Sequence, residues 1–156
     1  MTVPSEIRRA FRDRQMPRQV VLEDAPRTNE YLEALNFEGL GWEMMDSDFL
    51  VKNSDALYAF TPEAFCYYLP TFLVHGFELR EAPPVYVDAI LGMLDRSPNP
   101  DLWDDSFRRR WSILKADECK ALERWLLALS ESPEGIFDQL TLERAFDTVQ
   151  LLMARG

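Results

Sequence analysis

The chain holds few side chains that could do chemistry. Its only histidine is His75, and its two cysteines are Cys66 and Cys119. A histidine acting as a general base needs a nucleophile or an orienting group within hydrogen-bond reach, and zinc needs several nitrogen or sulfur ligands at workable spacing. The neighbour that the sequence offers His75 is Glu78 at position i+3, which favours a surface ion pair. The sequence therefore predicts no catalytic histidine, no metal and no cofactor.

Two short charged runs follow the proline-rich stretch SPNP. Asp101, Asp104 and Asp105 could hold a divalent ion or serve a hydrolase, but they lack the alternating spacing of an EF-hand loop, and a helix cap is the expected role. The arginines at 108–110 could contact nucleic acid, but in a chain of net charge −10 they are expected to be solvated or to pair with those aspartates. The sequence has no glycine-rich phosphate loop, no nucleophile elbow and no His-Glu-x-x-His motif, so we predict that the protein is not an enzyme.

The acidity of the chain is concentrated in one part of it. The net charge is −10 and the isoelectric point is about 4.6. Residues 23–63 hold ten acidic and two basic residues, whereas residues 1–22 carry a net charge of +3. Such a chain cannot hold nucleic acid by neutralising phosphates, and it is repelled by anionic membrane surfaces. A basic protein surface is the partner that it fits, although a solvated acidic surface needs no partner at all.

We predict that the partner binds within this acidic stretch. Gly39 and Gly41 break it into turns, and binding residues are often carried on loops. Phe37 and Trp42 could anchor the centre of an interface, because aromatic side chains dominate interface energies, but they could equally be core residues. The predicted partner-binding residues are Phe37, Glu38, Trp42, Glu43, Asp46, Asp48 and Asp55.

Helical patterns cover most of the chain. The strand-like runs QVVL and ALYAF are too short to found a sheet. We therefore predict an all-α fold, a single compact domain over residues 1–156 with six to seven helices in a bundle-like arrangement. The predicted N-caps are Ser5, Thr28 or Asn29, Thr61 and Asp117, and a short helix is predicted from Asp46 or Ser47 to Lys52.

The central helix is predicted from the run FTPEAFCYYLPTFLVHGF, residues 60–77. Phe65 and Phe72 lie on one helical face and Tyr67 lies on the opposite one, so both faces are apolar and neighbours are expected to cover both. The alternative is that Tyr67 is exposed and grips a partner. Pro70 lacks a backbone donor and is predicted to kink or split the helix. The predicted core set is Phe65, Tyr68, Leu69, Phe72, Trp125 and Leu126.

The two cysteines also bear on location. Both fall in apolar helical patterns and are expected to be buried, a usage that suits a reducing compartment. The run MTVPSEIRRAF lacks the apolar stretch of a secretory signal, and no apolar run approaches the roughly 20 residues of a membrane span. The expected location is the cytoplasm.

The run FTPEAFCYYLP, residues 60–70, resembles the signature of an uncharacterised bacterial domain family, Leu-Thr-Pro-Glu-Ala-Phe-x-Tyr-Tyr-Leu-Pro. Residues 39–42, GLGW, are similar to a Gly-x-x-Trp element that precedes the signature in that family. The run LKADECKAL from Leu114 is similar to its later Leu-Thr-x-x-Gln element, with Lys115 for Thr and no Gln in the run. The family has no established activity and so implies no catalytic residues. Small acidic bacterial proteins of this kind resemble immunity proteins, which are encoded beside the toxin they neutralise.

These observations together predict a non-enzymatic acidic binding protein. Most concretely, we expect a bacterial immunity protein that neutralises a cognate protein toxin with a basic surface by direct binding and occlusion. The alternative is a secretion adaptor or chaperone for an effector, which would bind an apolar helix rather than a basic site.

Overall fold

The structure is a computed structural model that describes residues 1–155. Its α-helices are α1 Val3–Phe11, α2 Asn29–Leu35, α3 Ser47–Lys52, α4 Pro62–Glu78, α5 Val85–Leu94, α6 Asp105–Trp111, α7 Ala116–Ser130 and α8 Gln139–Arg155. Three short 3-10 helices lie at Trp42–Met44, Ser54–Tyr58 and Pro100–Leu102. Residues 1–155 contain no strand. The prediction of an all-α fold is confirmed, with eight α-helices rather than six or seven.

Polar side chains begin most helices where the sequence indicates. Thr28, Asp46, Thr61 and Asp104 each accept a hydrogen bond from the backbone amide three residues later. Such a bond satisfies one of the amides that the first turn of a helix leaves without a partner, so these residues are N-caps. The role of Asp104 as a helix cap is therefore confirmed.

Two predicted caps are wrong. Thr2, not Ser5, accepts the capping bond of α1. Helix α7 begins after Lys115 rather than at Asp117, because the carboxylate of Glu118 accepts a hydrogen bond from the amide of Lys115 at 2.8 Å. Both helices thus begin earlier than local side-chain chemistry suggests.

Helix α4 is the centre of the fold. Four other helices, α1, α5, α6 and α7, pack around it. The predicted core set is buried, and Tyr67 on the opposite face is only 7% exposed, so the prediction of burial on both faces is confirmed. The helix runs through Pro70 without the predicted split. Apolar burial on both sides holds the two halves in one helix despite the missing backbone donor.

An extended segment, residues 12–28, joins α1 to α2; we call it the strap. Both the amide and the hydroxyl of Thr61 donate to strap carbonyls, at 2.9 Å to Val20 and 2.8 Å to Gln19. Near its N-terminal end Arg14 forms a bidentate ion pair with Glu118, at 2.6 and 2.7 Å. The strap is therefore held near its N-terminal end and at its middle, and Thr28 at its C-terminal end caps α2.

The length and composition of the helices also bear on membranes. None of the helices in the described residues combines the length and the apolar character that crossing a bilayer requires.

Candidate protein-binding surface

The predicted partner-binding residues all fall in residues 29–58, which we call the acidic segment. It contains α2, α3 and two of the 3-10 helices, and it carries seven acidic residues against Lys52, a net charge of −6. The part from Asn53 to Tyr58 packs back against α2, and Trp42–Met44 packs on α4. The segment therefore covers one part of the core with short elements joined by turns.

Two tyrosines of α4 hold the backbone of the turn between α2 and Trp42. The hydroxyl of Tyr68 lies 2.8 Å from the carbonyl oxygen of Phe37 and 2.9 Å from that of Leu40. The amide of Trp42 donates to the hydroxyl of Tyr67 at 3.4 Å. Burial raises the pKa of Tyr68, so its hydroxyl stays protonated and continues to donate throughout the physiological range.

His75 fixes the next part of the segment. Its Nε2 atom lies 3.0 Å from the carbonyl oxygen of Met45, and its Nδ1 atom lies 3.9 Å from the carboxylate of Glu78. Because a carbonyl oxygen can only accept, Nε2 carries a proton in this contact. Glu78 thus lies beside the ring, as the i+3 spacing predicts, and Nε2 positions the backbone before α3.

Phe37 and Trp42 lie in the core, and the structure corrects the expectation that they anchor a partner. Phe37 is fully buried and its ring meets those of Phe60 and Tyr68 edge-on, each at a centroid distance of 5.0 Å. Trp42 is 6% exposed. The turns around Gly39 and Gly41 direct both rings inward, where they fill space against α4. The surface alternative for Tyr67 is wrong for the same reason.

The five predicted acidic residues are all exposed, but several also serve the local structure. Asp46 caps α3 through a bond of 2.9 Å to the amide of Phe49, and Asp48 lies in the first turn of α3, near the positive end of the helix. Glu43 lies 3.8 Å from Arg8 of α1 in an exposed ion pair. A variant that tests partner binding at Asp46 must therefore remove its negative charge and keep its capping oxygen.

A second group of carboxylates, missed by the sequence-based prediction, surrounds Asp55. The amide of Asp55 donates to Glu33 at 3.0 Å, across the contact between α2 and the 3-10 helix. Partial burial, together with the negative charges of Asp55 and Glu30, raises the pKa of Glu33. The group would gain from a nearby cation, which would relieve this repulsion. Glu30 and Glu33 share a face of α2 by their spacing, but the sequence does not bring Asp55 beside them.

Exposed apolar side chains are interleaved with these acids. Met44 is 75% exposed, and Leu32, Val51 and Tyr58 are each about half exposed. They, rather than Phe37 and Trp42, are large apolar side chains that the segment exposes. Met44 and Met45 are chemically identical neighbours, and only the direction of the turn decides that Met45 is buried and Met44 is not.

A cleft of about 360 Å³ adjoins the acidic segment, between the strap and α2. Leu22 and Tyr58 form exposed apolar walls, and Glu30 lies at its edge. Arg110 also lines it, but its guanidinium donates to the carbonyl oxygens of Leu57 and Tyr58. The stem of a long basic side chain could pack on the apolar walls while its charged end reaches Glu30.

The other groups that could do chemistry are buried thiols and arginines that donate to backbone carbonyls. Residues 1–155 contain no group of three or more histidine, cysteine, aspartate or glutamate side chains placed to hold a metal ion. Cys66 and Cys119 are buried, and burial raises the pKa of their thiols to about 12 and about 11. In the run at 108–110, Arg108 and Arg110 donate to backbone carbonyls rather than to the aspartates.

No protein-family model, no curated protein and no solved structure matches this chain. The resemblance of residues 60–70 to a bacterial domain signature therefore stays a prediction.

Proposed function

We propose that this chain is a non-enzymatic binding protein whose acidic segment contacts a basic surface of a partner protein. In its most concrete form the proposal is a cytoplasmic immunity protein that occludes a cognate toxin. The observation that carries it is the combination, in residues 29–58, of a net charge of −6 with four exposed apolar side chains on a backbone that α4 holds in place. Two buried free thiols suit the reducing cytoplasm.

The two kinds of side chain have different roles in this proposal. The carboxylates raise the rate of association with a basic surface, over a range of about 8 Å at physiological ionic strength. Met44 and its apolar neighbours slow dissociation, because desolvated apolar anchors carry most of the energy of an interface while rim charges contribute little. The backbone is already fixed by Tyr68 and His75, so little ordering opposes binding.

The test is to express the products of the genes adjacent to this one, and to challenge cells that carry variants of this protein with any product that proves toxic. Reversing Glu38 and Asp48 to Lys changes the charge of the segment by four units without removing the cap of α3. Asp46→Lys would remove that cap as well, so Asp46→Asn, which keeps a capping oxygen, is the better variant there. A matched control reverses Asp101 and Glu134, two exposed acids outside the segment.

The expected result is loss of protection by the Glu38→Lys, Asp48→Lys double variant and full protection by the control. Purified wild-type protein should associate with the toxin more slowly as salt rises. Full protection by the double variant, together with association that salt does not change, would place the interface elsewhere and leave the acidity without a binding role.

The second candidate function is the secretion adaptor or chaperone. One observation favours it, an exposed apolar groove between α7 and α8 that lies outside the acidic segment.

A further inference from the structure

The groove between α7 and α8 is apolar along part of its lining: Leu127 is exposed and Phe146 is half-buried, whereas Leu126 and Leu142 are buried beneath them. Its volume is about 270 Å³, and Leu126, Leu142 and Phe146 lie along it. Leu127 forms one wall and is 45% exposed. A cavity of 150 Å³ accommodates one benzene ring, so this groove has room for about two large apolar side chains. The remaining lining residues are Ser130, Gln139, Glu143 and Asp147.

The rim of the groove is acidic. Glu143 and Asp147 are exposed and line it from α8. On α7, one helical turn before Leu127, Glu123 faces α8, because its carboxylate accepts a hydrogen bond from Gln150 at 3.3 Å. Two carboxylates therefore line the groove, and a third, that of Glu123, lies one helical turn away on the α7 side.

The bases of α7, and Arg144 of α8, face other neighbours. Arg124 of α7 pairs with Glu6 of α1 at 2.9 Å. Arg144 of α8 pairs with Asp95, after the end of α5, at 3.8 Å. Lys120 lines the cleft between α1 and α7. Acids and bases are thus segregated, and an incoming cation at the groove meets carboxylates that these bases do not neutralise.

We propose that this groove binds an amphipathic helix of a partner protein, with apolar residues along one edge and Lys or Arg beside them. An apolar groove recognises such a helix through residues at i, i+3 or i+4, and i+7. Residues 139–147 span about 12 Å of α8, at 1.5 Å per residue, which matches two turns of an incoming helix.

The acidic rim decides between occupants. A second copy of this chain carries a net charge of −10 and would be repelled. A basic amphipathic helix instead places its cations against Glu123, Glu143 and Asp147 while its apolar edge covers Leu127. No residue of the acidic segment lines the groove, so this inference stands whether or not that segment binds a toxin.

The probe is a fluorescein-labelled 15-residue peptide with Leu at helical spacing, Lys between the leucines, and blocked ends. A second peptide has the same composition in an order that forms no apolar face. Affinity is measured by fluorescence anisotropy, and the contact surface is mapped by amide chemical shifts. The groove variant is Leu127→Ser, and its control is Leu102→Ser, which makes the same change at an exposed leucine outside the groove.

Leu127→Ser should weaken binding of the helical peptide by about tenfold, since it removes one buried leucine from the interface. Leu102→Ser should change the affinity by less than about twofold, which is the range of a surface substitution outside the contact. Reversing Glu143 and Asp147 to Lys should slow association and reduce its dependence on salt. The shifted amides should centre on α7 and α8.

Three outcomes would overturn the proposal. Equal binding of the reordered peptide would show simple charge attraction. Loss of peptide binding in the Glu38→Lys, Asp48→Lys variant, with Leu127→Ser unchanged, would place the peptide on the acidic segment. A dimer in light scattering that Leu127→Ser converts to a monomer would identify the groove as a self-association surface. The toxin-protection assay tests the acidic segment and the peptide-binding assay tests the groove. Either proposal can therefore fail while the other stands.

Discussion

The ion pair between Arg14 and Glu118 gives the sharpest prediction of stability. The side chain of Glu118 is fully buried and that of Arg14 is 14% exposed. Arg14 donates to both carboxylate oxygens, and one of them also accepts from the amide of Lys115 at 2.8 Å. Burial alone would lower the pKa of Arg14, but its hydrogen bonds to Glu118 and the nearby carboxylates raise it, so the guanidinium remains charged.

The two single substitutions should have unequal costs. Removing one partner of a buried pair costs ~3–5 kcal/mol, because the other charge is left without compensation. Arg14→Met leaves a carboxylate that no solvent reaches, so it should fall at the upper end of that range. Glu118→Gln keeps an acceptor for Lys115, and it leaves a guanidinium that is partly exposed and still donates to the carbonyl oxygen of Ile113 at 3.0 Å. It should cost less than Arg14→Met.

The double variant Arg14→Met, Glu118→Leu supplies the control, since replacing a whole buried pair by apolar residues of similar volume is often neutral or stabilising. Urea denaturation followed by tryptophan fluorescence measures all four free energies of unfolding. The expected order of stability is wild type or the double variant first, then Glu118→Gln, then Arg14→Met. A cost below about 1 kcal/mol for Arg14→Met, the range of an exposed ion pair, would show that the strap is not held by a buried charge.

Four further predictions concern the core and the cap of α3. Phe72→Ala should cost ~3–5 kcal/mol of unfolding free energy, as truncation of a buried phenylalanine does, and an unchanged melting temperature would contradict the burial of α4. A Cβ atom at Gly76 would lie 2.8 Å from Val87, so Gly76→Ala should cost ~1–3 kcal/mol by overpacking, and Val87→Ala should recover part of that loss in the double variant. Burial raises the pKa of the Cys66 thiol to about 12, so the native state keeps this proton to a higher pH than the unfolded chain does. The free energy of unfolding should therefore stay constant below about pH 9 and fall as the pH rises towards 12, and it should fall less steeply in Cys66→Ala. Urea titrations at about pH 8 to 10.5 measure both slopes, and equal slopes would refute this prediction. Asp46→Ala should cost ~1 kcal/mol through the lost cap while Asp46→Asn costs less than half of that, and thermal melts of the two variants should differ accordingly.

The start of the central helix could be predicted from the sequence because it depends on neighbouring residues. Thr61 supplies the capping oxygen, Pro62 tolerates the first helical position, and the apolar period that follows continues for four turns. Burial of Phe65 and Phe72 follows from the same period, since a helix that is apolar on both sides requires cover on both sides.

The apolar members of the candidate site could not be predicted in this way. Phe37 and Trp42 are large aromatics beside turn glycines, a context that suits a core residue and an interface anchor equally. Only the hydroxyls of Tyr67 and Tyr68, which fix the backbone of that turn, decide that both rings point inward. The same turn directs the side chain of Met44 outward, so Met44 is exposed whereas Phe37 and Trp42 are buried.

By itself, the sequence determined the all-α class, most helix starts and the concentration of negative charge, because helical period, capping and net charge depend on residues a few positions apart. Only the tertiary structure decided which charges meet. Arg14 and Glu118 are 104 positions apart in the chain, and no local pattern distinguishes them from the exposed Arg12 and Asp117 beside them. Their pairing, like the groove between α7 and α8, exists only because the packing of separate helices brings distant side chains together and leaves others uncovered.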